Sequence, residues 1–292
     1  MEKRLVLRGF GVGAIAGLLA FVFSRLMAEP VIQRAIDYED GRDSALAAIR
    51  RAAGLAADPA GPDLFSRGVQ RNIGIATGLV VFGIAMGGLF AVAYVIAYRR
   101  TRGTIRPRNL ALMIAGAGFT AIYLVPFLKY PANPPSIGHQ TTIAPRSELY
   151  VAMVALSAFA LAAAVFAARR LARHWGAWYA NILCGLAFVA VMSIVMAILP
   201  PLGHLHSNVL DYGRHATETP LPLTNAKGVI VYPGFSADDL FRFRLYSVID
   251  QVILWGTLGL GFGSLVERAL AYVPRPTEGI ARPAGPDVTT AY

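Results

Sequence analysis

Four side chains able to ligate a metal fall within twelve residues: His204, His206, Asp211 and His215. Neutral imidazole suits borderline metals such as Co, Ni, Cu and Zn. A carboxylate and water beside the imidazoles would make a site able to release its ion. The spacing matches no closed structural zinc site. Exposed loops also tolerate histidine for its polarity alone, and that reading needs no ion. His139 shares the same side of the chain by the topology below, whereas His174 stands beside Arg173 on the other.

The elements that must position these residues are membrane spans. The chain has 292 residues, 55% hydrophobic and only 15% charged. An average soluble domain carries roughly 25% charge. The apolar residues lie in runs long enough to cross a bilayer, about 20 residues each. Six such runs occur: 5–27, 73–98, 109–128, 149–168, 178–199 and 245–266. The expected fold is therefore all-α, a polytopic membrane protein of about six transmembrane helices. Residues 1–268 form the membrane domain, and 269–292 form a Pro-rich tail that reads as disordered.

Charge sets the orientation. With the N-terminus inside, the inner segments hold 14 Lys and Arg against 4 acids, which accounts for the whole net charge of +10. The short loop 99–108 carries five arginines and no acid. Basic residues in short loops face the cytoplasm. Both termini are thus expected in the cytoplasm, in a bacterial inner membrane, with 28–72, 129–148 and 200–244 outside. In the first outer segment, Val31 to Tyr38 and Ser44 to Ala53 read as two short amphipathic helices, the second ended by Gly54. Each outward-going span ends near a proline: Pro30, Pro126 and Pro131, Pro200 and Pro201. The basic balance reflects topology and contact with anionic lipid. No aromatic-interleaved basic patch accompanies it, so nucleic acid is not an expected partner.

Gly9, Gly13 and Gly17 are spaced four apart, as are Gly74 with Gly78, Gly83 with Gly87, and Gly259 with Gly263. Such faces let helices approach closely. The single cysteine, Cys184, reads as a small buried hydrophobe. No Walker A loop, HExxH or GxSxG is present. The expectation is a protein that is not an enzyme and carries no cofactor.

Ionisable residues within spans are expensive and functional by default. Asp250 is the clearest, with Glu29 at the outer end of the first run. Pairing of Asp250 with Arg242 or Arg244 is the plain alternative. Asp238 and Asp239 suit a helix N-terminus through the dipole.

Two motifs carry a resemblance. Lys129-Tyr-Pro-Ala-Asn-Pro-Pro135 follows the third run, and Phe235-Ser-Ala-Asp-Asp-Leu-Phe-Arg-Phe-Arg-Leu245 leads into the last. With Glu29-Pro-Val-Ile32, these resemble the CbtA family of proposed cobalt transporter subunits. The resemblance covers residues 1 to about 268. It implies Co²⁺ as cargo and a small companion, CbtB, with one span and a histidine-rich end. In the matched loop, Tyr130 would sit at the interface and Asn133 offers an amide and a carbonyl. The loop could gate or ligate; its prolines equally suit a packed plug or a docking surface.

The reading is uptake of a divalent transition-metal cation, cobalt by resemblance, with no ATPase in this chain. His204, His206, Asp211 and His215 would collect the ion, and Asp250, Glu29, Asn133 and Tyr130 would line its path. The rival is a membrane scaffold or accessory subunit of a larger complex or homo-oligomer.

Overall fold

The structure is a computed structural model, and it describes residues 2–55, 66–101, 104–213 and 217–271. Six long helices are apolar enough to cross a membrane. Helix α1 comprises Glu2–Phe23, a π-helical turn Ser24–Ala28 and Glu29–Ala52. Helix α2 comprises Arg67–Val69, a π turn Gln70–Gly74 and Ile75–Thr101. Helix α3 comprises Pro107–Gly118, a π turn Phe119–Leu124 and Val125–Lys129. Helices α4 (Ile143–Trp175) and α5 (Ala177–Ile198) are regular and joined at Gly176, whose φ of +79° suits glycine. A short helix α6 (His206–Tyr212) precedes a two-stranded antiparallel hairpin, β1 (Leu223–Thr224) and β2 (Ile230–Tyr232). Helix α7 comprises Ala237–Thr257, a π turn Leu258–Phe262 and Gly263–Ala271. The expected tail lies, from residue 272 onward, outside the described residues.

Two expectations need correction. The segments 31–38 and 44–53 are not separate helices but one helix continuous with the first span. Gly41 does not break it, because its missing side chain makes room for the Tyr232 ring. Gly54 does end it, at φ +73°. Nor does the first helix end near Pro30; α3, with Pro126 inside it, does end close by at Lys129. Proline removes an N–H and crowds the carbonyl four residues earlier. Here the π turns 24–28 and 119–124 lie just before the two prolines and open the backbone there. The β-hairpin is an addition to the all-α expectation; its exposed Val229, Ile230 and Val231 gave no alternation to read.

Packing divides the helices into a body and an arm. Helices α1, α2, α3 and α7 share one core that includes Val12, Phe90, Tyr94, Leu258 and Phe262. Within it α1 and α2 meet backbone to backbone: a Cβ on Gly9, Gly13 or Gly17 would collide with the carbonyls of Gly87, Gly83 and Leu79. Gly259 and Gly263 likewise admit Ala115 and Ala111 of α3. Among the described residues, Gly74 and Gly78 meet no other helix. The arm is α4 with α5, packed around Met153, Phe188 and Met192 and joined to the end of α3 at Val125. Cys184 is buried in the stripe of α5 that faces α4.

Candidate functional site

Helix α7 positions most of the polar contacts in the body. Its start is fixed by Ser236, whose hydroxyl accepts the Asp239 N–H at 3.3 Å. The Asp239 carboxylate is then free to take Arg34 of α1, at 2.9 Å from Nε and 2.7 Å from Nη2. Further along, Arg244 donates to Asn133 Oδ1 at 2.9 Å and to the Ala132 carbonyl at 3.2 Å. Asp250 pairs with neither Arg242 nor Arg244; its Oδ1 accepts the Ser24 hydroxyl at 3.1 Å. Asp250 is 8% exposed. The residues buried beyond it on α7 are all apolar: Leu254, Trp255, Leu258, Phe262 and Val266.

Five residues after Ser24 comes Glu29, 4% exposed. Its Oε1 accepts Arg67 Nη2 at 2.8 Å, and Arg67 Nε reaches Gln33 at 3.1 Å. Its Oε2 is buried with no partner among the described residues. One turn before Glu29, Arg25 donates to Asn72 at 2.9 Å. Ser24 and Arg25 lie in the π turn of α1 and Asn72 in that of α2. A π turn shifts the helical hydrogen bonds by one residue, and such turns recur at functional sites. In α3 the Ala121 carbonyl, inside the π turn, accepts the Ser157 hydroxyl of α4. That contact fastens the arm to the body.

The remaining predicted residues lie elsewhere. Tyr130 is buried, its hydroxyl on the Pro200 carbonyl at 2.9 Å. Asn133 is held by Arg244 rather than meeting Asp250. The loop 129–135 is thus packed at these two points. His204 and His206 are exposed on the loop face. His215 lies outside the described residues, as does the side chain of Asp211, whose backbone belongs to α6. Among the described residues, no group of three or more His, Cys, Asp or Glu comes together to hold a metal ion. His139 Nε2 lies 2.9 Å from the Thr217 carbonyl.

Sequence reasoning missed Ser24, Arg67, Ser157 and the network around Glu218. The Glu218 carboxylate accepts Asn208 Nδ2 at 2.6 Å, Thr142 Oγ1 at 3.2 Å and Arg146 Nη1 at 3.5 Å. It ties Asn208 of α6 to Thr142 and Arg146 at the start of α4. Arg67 was findable as a cation close before the second span; the two serines carry no signal of their own.

Chemically, the body offers two nearly dry carboxylates, one hydroxyl donor and one spare carboxylate oxygen. Oxygen sets of this kind bind cations or protons. No curated protein and no solved structure matches the chain. The family described as "Probable cobalt transporter subunit (CbtA)" matches residues 2–267. With six spanning helices and a match along nearly its whole length, the chain is a multi-pass membrane protein that belongs to the CbtA family.

Proposed function

We propose that this chain is the membrane subunit through which a divalent transition-metal cation, Co²⁺, is taken up, with no ATP hydrolysis by the chain itself. The observation that carries the reading is the pair Asp250 and Glu29, both buried and both outside any large ion-pair network. Burying a carboxylate in a membrane helix is costly, and a purely structural body has no use for two. Glu29 keeps one oxygen free. The arginine-rich face is cytoplasmic on this reading, in a bacterial inner membrane, and the loop face with His204, His206, Asp211 and His215 gathers the ion outside.

Among the described residues, the hydrophobic side chains Leu254, Trp255, Leu258, Phe262 and Val266 fill the buried side of α7 between Asp250 and the arginine face. Passage therefore needs a movement of α7 or a partner, and an ion gradient or that partner as the energy source. A single-span, histidine-rich companion fits this need. The rival reading, a scaffold for a larger complex, draws on α5, which buries only the stripe Ala180, Cys184, Phe188 and Met192.

The test is Co²⁺ uptake into proteoliposomes holding the protein with and without its companion, and calorimetric Co²⁺ binding beside Ni²⁺ and Zn²⁺. Uptake that Asp250→Asn abolishes supports transport. Uptake unchanged by Asp250→Asn and Glu29→Gln sinks the path. No binding by wild type, or binding that the triple His204→Ala/His206→Ala/His215→Ala variant retains in full, sinks the collecting loop.

A further inference from the structure

A cleft of about 470 Å³ opens between the loop-side ends of α3 and α4, roofed by Leu202. It belongs to the junction of arm and body. Its walls are Tyr123, Phe127, Tyr130, Tyr150 and Val151, with Arg146 among them. Pockets of a few hundred Å³ with apolar walls and a few polar groups are the usual form of a small-molecule site. The chemistry of this one is selective. Arg146 holds Glu218 through Nη1 alone, at 3.5 Å, which leaves its other donors available. Lys129 lies over the Tyr130 ring, 5.8 Å from its centre. Arg146 is thus the charged side chain in the lining, with Glu218 on one of its nitrogens, and its remaining N–H donors suit an anion rather than a bare metal ion. The Tyr123 hydroxyl is buried with no hydrogen-bond partner among the described residues. Val151 and Ile143 expose most of their side chains beside it, 65% and 59%, where α4 faces the bilayer.

We propose that this cleft holds one anionic phospholipid of the loop-face leaflet. Its phosphate lies at Arg146, where a guanidinium can bond two oxygens at once. One acyl chain runs over Phe127, Tyr150 and Val151, and an ester carbonyl accepts the Tyr123 hydroxyl. Tyrosines at headgroup depth are at home in such a setting. The lipid would wedge the arm against the body beside the Ser157 contact. This inference does not rest on the transport reading.

Native mass spectrometry of the full-length protein in detergent, titrated with phosphatidylglycerol or phosphatidylcholine, tests it. Wild type should retain one phosphatidylglycerol in preference to phosphatidylcholine. Arg146→Gln should weaken that retention roughly tenfold, the scale of one charge-assisted hydrogen bond. Val151→Trp, which fills the cleft and leaves the Arg146–Glu218 pair intact, should weaken it as much. Arg169→Gln on the other face should change nothing. Equal retention of the two lipids overturns the proposal, as does undiminished retention by Val151→Trp or by a folded Arg146→Gln protein. Displacement of the lipid by soluble glycerol phosphate at matching concentration also overturns it, because phosphate alone would then be the ligand.

Discussion

The Ser24 hydroxyl sits 3.1 Å from Asp250 Oδ1 and joins positions 226 residues apart in the chain. It ties the π turn of α1 to the middle of α7, in a region where nearly every other buried side chain is apolar. The contact gives the Asp250 carboxyl a hydrogen-bond partner from another span. Asp250→Asn keeps the shape and removes the charge. We expect Co²⁺ uptake to fall at least roughly tenfold, and Ser24→Ala to lower it less, roughly threefold. If the contact is the unit that matters, the double variant is no worse than Asp250→Asn alone, and initial uptake rates read that directly.

Arg67 is the partner of a buried carboxylate. Its removal leaves Glu29 dry and unpaired, and one partner lost from a buried pair is worse than both. Arg67 is itself 28% exposed, so the expected cost of Arg67→Ala is about 2 kcal/mol rather than the full value for a dry pair. Adding Glu29→Gln should recover most of it. Apparent Tm in detergent separates the three proteins.

The glycines offer a paired comparison. Gly13→Val sets a branched side chain against the Gly83 backbone and should prevent α1 and α2 from meeting. Gly78→Ala meets nothing within 4 Å and should be neutral or stabilising by about 0.5 kcal/mol. Monodisperse yield by size-exclusion chromatography distinguishes them.

Glu39 lies on α1 beyond its apolar stretch. Burial pushes its carboxyl above the ordinary 4.5; the Ser136 hydrogen bond pulls it back, and Asp43 and Asp40 push it up again. A carboxyl that holds its proton more tightly when folded adds stability below the unfolded value and loses it as pH rises through the folded one. Apparent Tm should therefore fall from about pH 4.5 upward in wild type relative to Glu39→Gln, with the gap largest at neutral pH. A gap that does not change with pH contradicts this.

Ser157→Ala strands the Ala121 carbonyl in a buried place. The expected cost is about 1 kcal/mol, with Ser157→Thr milder. Limited proteolysis should then cut the α3–α4 loop faster, because the arm has lost its fastening.

Much of the fold could be read from the chain. Hydrophobic length gave all six spans, since a bilayer demands the same length wherever it is crossed. The spacing of Gly9, Gly13 and Gly17 gave a seam that α2 fills. Asp250 and Glu29 stood out because charge is rare in such surroundings. Their partners did not, because Ser24 is one small polar residue among many and its role exists only across 226 positions. The third and fifth spans end near their prolines, at Lys129 and Ile198; Pro30 pointed to a helix end for the same local reasons, yet a π turn before it keeps that helix going. That outcome has no side-chain signature. The two-helix reading of 31–53 failed for a similar cause, since Gly41 answers to Tyr232, far away in the chain.

The π turn at Leu258–Phe262 has a consequence of register. It sits where the chain reads Gly256-Thr-Leu-Gly-Leu-Gly-Phe-Gly263, so few side chains resist a change of pitch. A π turn is one residue more than an α-helix needs, and one residue is about 100° of helix rotation. Deleting Gly261 would leave an uninterrupted α-helix and turn the face carrying Arg268 by that angle against the face carrying Asp250. The two halves of α7 are therefore set relative to each other by a single surplus residue.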